Sequence, residues 1–130
     1  AESLHMLIID IDHFKNINDK FGHDIGDSVL IKAANVLRQS IQGLNIYRLG
    51  GEEFVALLKG VNDKQAYYQA EIIRKAVEQA TFYSHTEEIA LTVSIGISSL
   101  QAEQEFTDFL RAADVKLYQA KHEGRNQVRN

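Results

Sequence analysis

The pattern of apolar and polar positions along the chain predicts both strands and helices. Residues Leu4 to Asp10 form a mostly apolar run, which is typical of a buried strand. Apolar residues then recur at helical spacing from about Asp27 to Ile41, and again from an N-cap at Asp63 to about Ala80. A last helix is predicted from Phe106 to His122, with Gly124 in the position of a left-handed C-cap.

The remaining segments predict further strands. Ile46-Tyr47 and Phe54 to Leu58 flank Gly50-Gly51, and such a glycine pair favours a two-residue hairpin turn with positive φ at both positions. Residues Glu88 to Ser98 alternate like a strand, and Lys15 to Phe21 predict a turn or a short helix. Four tyrosines are interpreted as ordinary packing residues: Tyr47, Tyr67, Tyr68 and Tyr118.

The order of these elements is strand, helix, strand, strand, helix, strand, helix. This order favours an α+β fold of the ferredoxin-like type, with an antiparallel sheet and helices packed mainly on one face. In that topology the first and third strands are antiparallel neighbours. Asp10, at the end of the first strand, should therefore meet Glu52 and Glu53, at the start of the third.

Composition and charge narrow the class of protein. The 130 residues, 45% of them hydrophobic, suit one domain and contain no repeat or low-complexity segment. There is no cysteine, which excludes a disulfide framework and suits a reducing cytosol. No apolar run approaches the roughly 20 residues of a membrane span, and no secretion signal is present. The net charge of −4 argues against a nucleic-acid polymer as partner but allows a small anion held by a metal.

Two acidic pairs are candidate metal ligands. Glu52 and Glu53 follow the predicted hairpin turn, and Asp10 and Asp12 end a buried strand. Hard cations such as Mg²⁺ prefer carboxylate oxygens and take phosphate oxygens as further ligands. The alternative for the glutamates is a solvated surface pair, which is the more common role of such a pair beside a turn. The alternative for the aspartates is a simple strand-ending turn, although buried carboxylates are costly without a cation or hydrogen bonds.

The chain resembles the GGDEF family of diguanylate cyclases, in a Gly-Gly-Glu-Glu-Phe form. The resemblance covers nearly the whole chain, in blocks that follow one another in order. These blocks are Asp10-Ile11-Asp12-His13-Phe14-Lys15, Asn18-Asp19, Phe21-Gly22-His23, Gly26-Asp27, Arg48-Leu49-Gly50-Gly51-Glu52-Glu53-Phe54, Thr92-Val93-Ser94-Ile95-Gly96-Ile97, Ala113-Asp114, Tyr118-Gln119-Ala120-Lys121 and Gly124-Arg125-Asn126.

This resemblance implies a fold similar to nucleotide cyclase and polymerase palm domains. It also implies that two GTP molecules, one on each of two domains, condense into cyclic di-GMP with release of two pyrophosphates. Mg²⁺, with Mn²⁺ as an alternative, is the implied cofactor, and its implied ligands are Asp10, the Ile11 carbonyl and Glu52, with Glu53 as an additional ligand. Glu52 is also the implied proton acceptor, and Lys15 the implied group that stabilises the transition state.

The other implied site residues bind GTP. They are the backbone N–H groups of Phe14 and Lys15, the side chains of Asn18, His23 and Asp27, and the cations Lys121 and Arg125. An Asp carboxylate accepts from guanine N1–H and N2–H₂ while an Asn amide donates to O6 or N7, a combination that adenine does not match.

Structural alternatives stay open for these residues. His23 suits a cap of local backbone, and Asp27 suits an N-cap of the following helix. Lys121 and Arg125 lie at the end of the last helix, where cations also complement the helix dipole.

Two departures from the family pattern affect the expectations. The family's inhibitory Arg-x-x-Asp motif is replaced by Ile41-Gln42-Gly43-Leu44, which predicts no inhibitory product site. The family's first segment, with an Asp-x-Leu-Thr-Gly-Leu signature, would precede Ala1. We therefore expect residues 1–130 to be one trimmed GGDEF domain that acts in the cytoplasm, in a longer protein with an N-terminal sensory or regulatory domain and either with or without a membrane anchor.

Two other functional classes remain. A catalytically silent module would bind GTP and form no product, although every implied catalytic residue is present. A structural or protein-interaction domain would show no Mg²⁺-dependent nucleotide binding.

Overall fold

A computed structural model describes residues 3–130 of the chain. Within these residues the chain forms seven strands and four helices. In chain order they are β1 (Leu4–Ile11), α1 (Phe14–Phe21), α2 (His23–Ser40), β2 (Asn45–Gly50), β3 (Glu53–Lys59), α3 (Asp63–Gln79), β4 (Phe82–Tyr83), β5 (Glu88–Ile89), β6 (Val93–Ser99), α4 (Phe106–His122) and β7 (Val128–Arg129).

The central sheet has the strand order β2-β3-β1-β6-β7. Strand β1 pairs antiparallel with β3 and with β6, and its register sets Asp10 opposite Glu53. The predicted α+β fold and the predicted meeting of the first and third strands are both confirmed. The sheet is mixed and not purely antiparallel, because β7 adds to β6 in the parallel direction.

The sheet is covered on both faces. Leu7 and Ile9 of β1 belong to the larger core, which α1, α2 and α3 cover, whereas Met6 and Ile8 pack against α4 on the opposite face. Helix α4 lies close to β6 because Gly96 has no side chain: a Cβ there would come within 2.2 Å of the Leu117 nitrogen. The expectation of helices mainly on one face therefore holds for α1 to α3 and not for α4.

Several predicted boundaries were wrong. Helix α2 begins at His23 after the N-cap Gly22, which places Asp27 inside the helix and excludes it as the N-cap. The N-cap of α3 is Asn62 and not Asp63; Asn62 forms a capping box with Gln65. The strand predicted from Glu88 to Ser98 is two strands, since β5 pairs with β4 in a separate small sheet.

The β2–β3 hairpin also differs from its prediction. Gly50 pairs with Glu53 after a β-bulge, so the two turn residues are Gly51 and Glu52. Gly51 has a φ of 53°, whereas Gly50 is not in the positive-φ region. At the end of α4, Gly124 does have a positive φ of 125°, as expected next to a C-cap.

The four tyrosines interpreted as packing residues are instead exposed. Their exposed fractions are 59% for Tyr47, 37% for Tyr67, 68% for Tyr68 and 61% for Tyr118. Among residues 3–130, no helix is both long enough and apolar enough to cross a membrane.

Candidate active site

Asp10 is a buried carboxyl group at the end of β1. It is 3% exposed, and the Lys121 ammonium of α4 donates a hydrogen bond to it at 2.7 Å. Burial raises the pKa of Asp10 from 3.8 to about 6, although Lys121 opposes the rise through its hydrogen bond and charge, and Glu53 adds to it. Two carboxyl groups are thus held together beside one cation, an arrangement that favours binding of a further positive charge.

The two glutamates of the motif occupy different positions relative to Asp10. Glu53 lies opposite Asp10 in the sheet, and its side chain is the one close to the Asp10 carboxyl. Glu52 lies in the turn, and its backbone carbonyl accepts a hydrogen bond from the Ile11 nitrogen at 3.3 Å. The predicted ligands therefore lie together at one edge of the sheet, where β1 ends and β3 begins. They are Asp10, Ile11, Glu52 and Glu53.

This edge provides oxygen ligands that suit Mg²⁺. Within residues 3–130, no three histidine or acidic side chains converge into a group that could hold a metal ion without other ligands. Mg²⁺ usually binds through one or two carboxylates together with phosphate oxygens of its substrate and water. The pair Asp10 and Glu53, with nearby backbone carbonyls, fits that mode of binding.

Asp12, two residues further on, has a different environment from Asp10. It is 5% exposed and accepts hydrogen bonds from Thr92 Oγ1 at 2.7 Å, Ser94 Oγ at 2.6 Å and the Asn126 backbone nitrogen at 3.0 Å. These donors occupy its carboxyl group. Of the two alternatives for Asp12, these hydrogen bonds favour a structural carboxyl over a metal ligand.

The start of α1 places free backbone donors near the end of β1. The N-cap residue His13 is left-handed, with φ 57°, and makes no capping hydrogen bond with its side chain. The first N–H groups of a helix have no partner within that helix, and here they belong to Phe14 and Lys15. The Lys15 side chain is exposed. This end of α1 suits an anion such as a phosphate group.

The residues predicted to contact guanine lie together where α1 meets α2. The Asn18 carboxamide packs directly over Gly26: a Cβ on Gly26 would lie 1.8 Å from Asn18 Oδ1. The backbone carbonyl of Asn18 also accepts a hydrogen bond from the Gly22 nitrogen at 2.8 Å. His23 and Asp27 are exposed on the first turns of α2. Gly26 therefore makes the space that the Asn18 side chain occupies beside Asp27.

A groove of about 510 Å³ extends from Asp27 along α2 to the β2–β3 hairpin. Leu30, Arg48 and Phe54 contribute to its lining. Arg48 was assigned no role from the sequence, yet its Nε donates to the Gly51 carbonyl at 2.9 Å and so supports the turn that carries Glu52. The position of Arg48 two residues before the glycine pair is a signal that could have identified it.

The predicted phosphate-binding cations lie at the C-terminal end of α4. Lys121 contacts Asp10, as described, so it lies at the same edge as the candidate metal ligands. Arg125 is exposed and has a left-handed backbone, with φ 61°. Its backbone nitrogen donates to the Ala120 carbonyl at 2.9 Å, a bond typical of a Schellman motif.

The segment 41–44 lines a separate groove of about 290 Å³ beside the ends of β2 and β3. Among the residues described at that groove, Lys59 is the only one with a charged side chain. The absence of an inhibitory product site stays a prediction.

Comparisons with known proteins identify the family of this chain. Residues 1–127 match the family described as "Diguanylate cyclase, GGDEF domain". The chain belongs to this family. The GGDEF domain is 40% identical over 129 residues to diguanylate cyclase A of Treponema denticola, an alignment that covers 98% of this chain and 35% of that protein.

Two solved structures show the same fold. The GGDEF domain of DgcB from Caulobacter crescentus, in complex with c-di-GMP, is 30% identical with a TM-score of 0.92 and covers 98% of this chain and 77% of that one. The active GGEEF domain of a diguanylate cyclase from Vibrio cholerae is 37% identical with a TM-score of 0.87, covering 98% of this chain and 81% of that one. The chain spans about a third of the length of the curated relative, 35%.

Proposed function

We propose that this GGDEF domain is a diguanylate cyclase, which condenses two GTP molecules into cyclic di-GMP and two pyrophosphates. The observation that carries the proposal is the edge of the sheet where Asp10, Glu53 and Lys121 meet, next to the uncapped start of α1. Carboxylates for a cation, a lysine and free N–H donors for phosphates are the groups that phosphoryl transfer requires.

Asp10, the Ile11 carbonyl and Glu52 would hold Mg²⁺ or Mn²⁺, with Glu53 as a further ligand. A bound divalent cation lowers the pKa of a hydroxyl group and neutralises charge that develops on phosphate oxygens. The donor set fits, since Asp10 is buried beside a second carboxyl. Before GTP binds, the Lys121 ammonium forms an ion pair with the Asp10 carboxylate. When GTP binds, Lys121 would contact the phosphates instead.

The chain's own residues would then orient the reactants. The Phe14 and Lys15 N–H groups bind the β- and γ-phosphates, and Lys121 and Arg125 hold the triphosphate from the other side. Each 3′-hydroxyl attacks the α-phosphorus of the other GTP, a P–O bond forms, and the bond to pyrophosphate breaks. Glu52 accepts the hydroxyl proton, and Lys15 stabilises the charge on the α-phosphate.

Base selection is assigned to the corner formed by Asn18, His23 and Asp27. The contact between Asn18 and Gly26 gives a direct test. Gly26→Ala should displace the Asn18 side chain and reduce the preference for GTP over ATP, about as much as Asn18→Ala does. Thermal-shift assays with each nucleotide and Mg²⁺ measure this; equal stabilisation by GTP and ATP in the unmodified domain would exclude guanine selection.

The reaction needs two domains that face each other, because each GTP attacks the other. We propose that a second copy of this domain supplies the second GTP. We further propose that the domain acts in the cytoplasm as part of a longer protein, with regulatory input from another domain and with membrane attachment as an option, since the matched relatives are longer.

The test is product formation from GTP and Mg²⁺ by residues 1–130 over a wide range of protein concentrations. We expect cyclic di-GMP, resolved by chromatography, at a rate that rises faster than linearly with protein concentration. Glu52→Gln should abolish the product. GTP binding without product at any concentration would favour the catalytically silent module, and absence of GTP binding would contradict both functions.

A further inference from the structure

The loop that carries Arg125 is tied to the end of β1 through Asp12. Asp12 accepts hydrogen bonds from three donors. Thr92 lies immediately before β6, Ser94 lies on β6, and the third donor is the backbone nitrogen of Asn126. Asp12 comes only two residues after Asp10, immediately after the end of β1. The carboxyl group thus joins the strand that ends at the candidate active site to the loop that follows α4.

Asn126 is also held from the side of α3. Its side-chain oxygen accepts from Arg74 Nη1 at 2.8 Å, and its side-chain nitrogen donates to Glu78. Arg74 is itself fixed, because its side chain is 12% exposed and forms two hydrogen bonds of 3.0 Å with Glu71. We call Asp12, Arg74 and Glu78, with the Asn126 that they hold, the Asn126 clamp.

The clamp holds an unusual backbone. Arg125 and Asn126 are consecutive non-glycine residues with φ of 61° and 45°, a conformation that persists only where the surroundings enforce it. Backbone hydrogen bonds hold this segment at both ends. The Arg125 nitrogen donates to the Ala120 carbonyl, and the Gln127 carbonyl accepts from the Ile95 nitrogen at 3.0 Å. The backbone of Arg125 is therefore fixed on both sides, while its guanidinium group has no hydrogen-bond partner within residues 3–130.

We infer that Asn126, held through its side chain by Arg74 and Glu78, is a positioning residue that sets the direction of Arg125 toward the triphosphate. This inference rests on the proposed function, in which Arg125 binds GTP. A fixed arginine contributes more to binding than a mobile one because less side-chain and backbone entropy is lost when the ligand binds. The Asn126 clamp should therefore affect nucleotide affinity only when Arg125 is present.

The test is a double-mutant cycle between Asn126→Ala and Arg125→Ala. The probe is 3′-deoxy-GTP with Mg²⁺, which lacks the attacking hydroxyl and so reports binding without turnover. We expect Asn126→Ala to raise the Kd about tenfold in the unmodified domain and by less than about twofold in the Arg125→Ala background. Asn126→Gly removes the same side chain and tolerates positive φ, so it repeats the test if the alanine variant folds poorly.

Thr92→Val is the matched control. It removes one donor to Asp12 and leaves the bond between Asp12 and the Asn126 nitrogen in place. It should lower the Tm without changing the Kd for 3′-deoxy-GTP.

Two results would overturn the inference. An equal rise in Kd in both backgrounds would show that the clamp does not act through Arg125. An unchanged Kd with a lowered Tm would show that the clamp serves stability alone. These results are distinct from failure of the proposed function, in which the unmodified domain itself would not bind 3′-deoxy-GTP.

Discussion

Asp10 and Asp12 have different surroundings, although both are buried and only two residues apart. Asp10 lies on β1, and Asp12 comes immediately after that strand. Asp12 is surrounded by three neutral donors that match its oxygens. Asp10 has one cationic partner and a second carboxyl group beside it, and its pKa is raised to about 6. A buried carboxyl group whose oxygens accept several hydrogen bonds stabilises the fold. One that accepts few hydrogen bonds still has oxygens available to bind a ligand.

The difference teaches that burial alone does not identify a metal ligand. Both aspartates satisfy the sequence criterion of an acidic residue at the end of a buried strand. The two aspartates differ in their hydrogen-bond donors. Asp12 has three, from Thr92, Ser94 and the Asn126 backbone. Asp10 has Lys121 as its donor and a second carboxyl group, Glu53, beside it.

Loss of the Asp12 carboxyl should have the largest effect on stability. Asp12→Ala leaves the buried Ser94 hydroxyl, the Thr92 hydroxyl and the Asn126 nitrogen without their acceptor. We expect a loss of about 4 kcal/mol in the free energy of unfolding, since each buried orphan group costs about 1–3 kcal/mol. Urea denaturation at pH 7 measures it. A loss below about 1 kcal/mol would mean that Asp12 is not a structural carboxyl.

Loss of the Asp10 carboxyl should instead show in metal binding. Asp10→Asn should weaken the binding of Mn²⁺, used as a probe for Mg²⁺, to the domain loaded with 3′-deoxy-GTP by about 100-fold, or about 3 kcal/mol. Titration followed by electron paramagnetic resonance measures the affinity. Ser94→Ala, which alters the surroundings of Asp12, is the control and should leave the affinity unchanged. Equal weakening in both variants would remove the distinction between the two aspartates.

The ion pair of Asp10 should stabilise the fold in a manner that depends on pH. Lys121→Met removes the cation 2.7 Å from Asp10, and we expect it to cost about 1–2 kcal/mol at pH 8, because a buried charge loses its partner while Lys121 itself is partly exposed. Below about pH 5 Asp10 is protonated and the cost should disappear. Denaturation curves at both pH values decide; a cost independent of pH would place the effect elsewhere than at Asp10.

The raised pKa of Asp10 should produce a smaller effect with the opposite sign. Folded Asp10 keeps its proton up to about pH 6, whereas the unfolded side chain releases it near 3.8. The resulting stabilisation is complete below pH 4 and lost as the pH rises through about 6.

Asp10→Asn in the presence of a chelator should therefore be more stable than the unmodified domain by about 1 kcal/mol at pH 8, and no more stable at pH 4. Thermal unfolding at several pH values provides the comparison. A destabilised variant at pH 8 would show that the carboxylate is fully compensated by Lys121.

Much of the fold was predictable because its signals are local. The long helices have clear apolar faces, and the meeting of Asp10 with Glu53 followed from strand order alone. Strand β7 was missed because Val128–Arg129 is too short to show a period and pairs with β6, some thirty residues away. The hairpin turn was misplaced by one residue because a β-bulge, which depends on tertiary pairing, brings Gly50 into the strand.

The candidate site was predictable only in part. The residues to which we assign the chemistry lie at the ends of β1 and α4 and at the start of α1, and the sequence alone indicates them. The role of Asp12 could not be read from its neighbours, because its partners Thr92, Ser94 and Asn126 lie between 80 and 114 residues away in the chain. The same holds for Arg74, which reaches Asn126 over a separation of 52 residues.

The central claim is that Asp10 serves catalysis and Asp12 serves structure, and one paired measurement tests it. Cyclic di-GMP formation would be followed for Asp10→Asn and Asp12→Asn at saturating GTP and Mg²⁺, at high protein concentration, with rates corrected for the folded fraction. We predict a loss of about 10³-fold or more for Asp10→Asn and a kcat within about fivefold of the unmodified domain for Asp12→Asn. Equal losses in two folded, GTP-saturated variants would contradict the account.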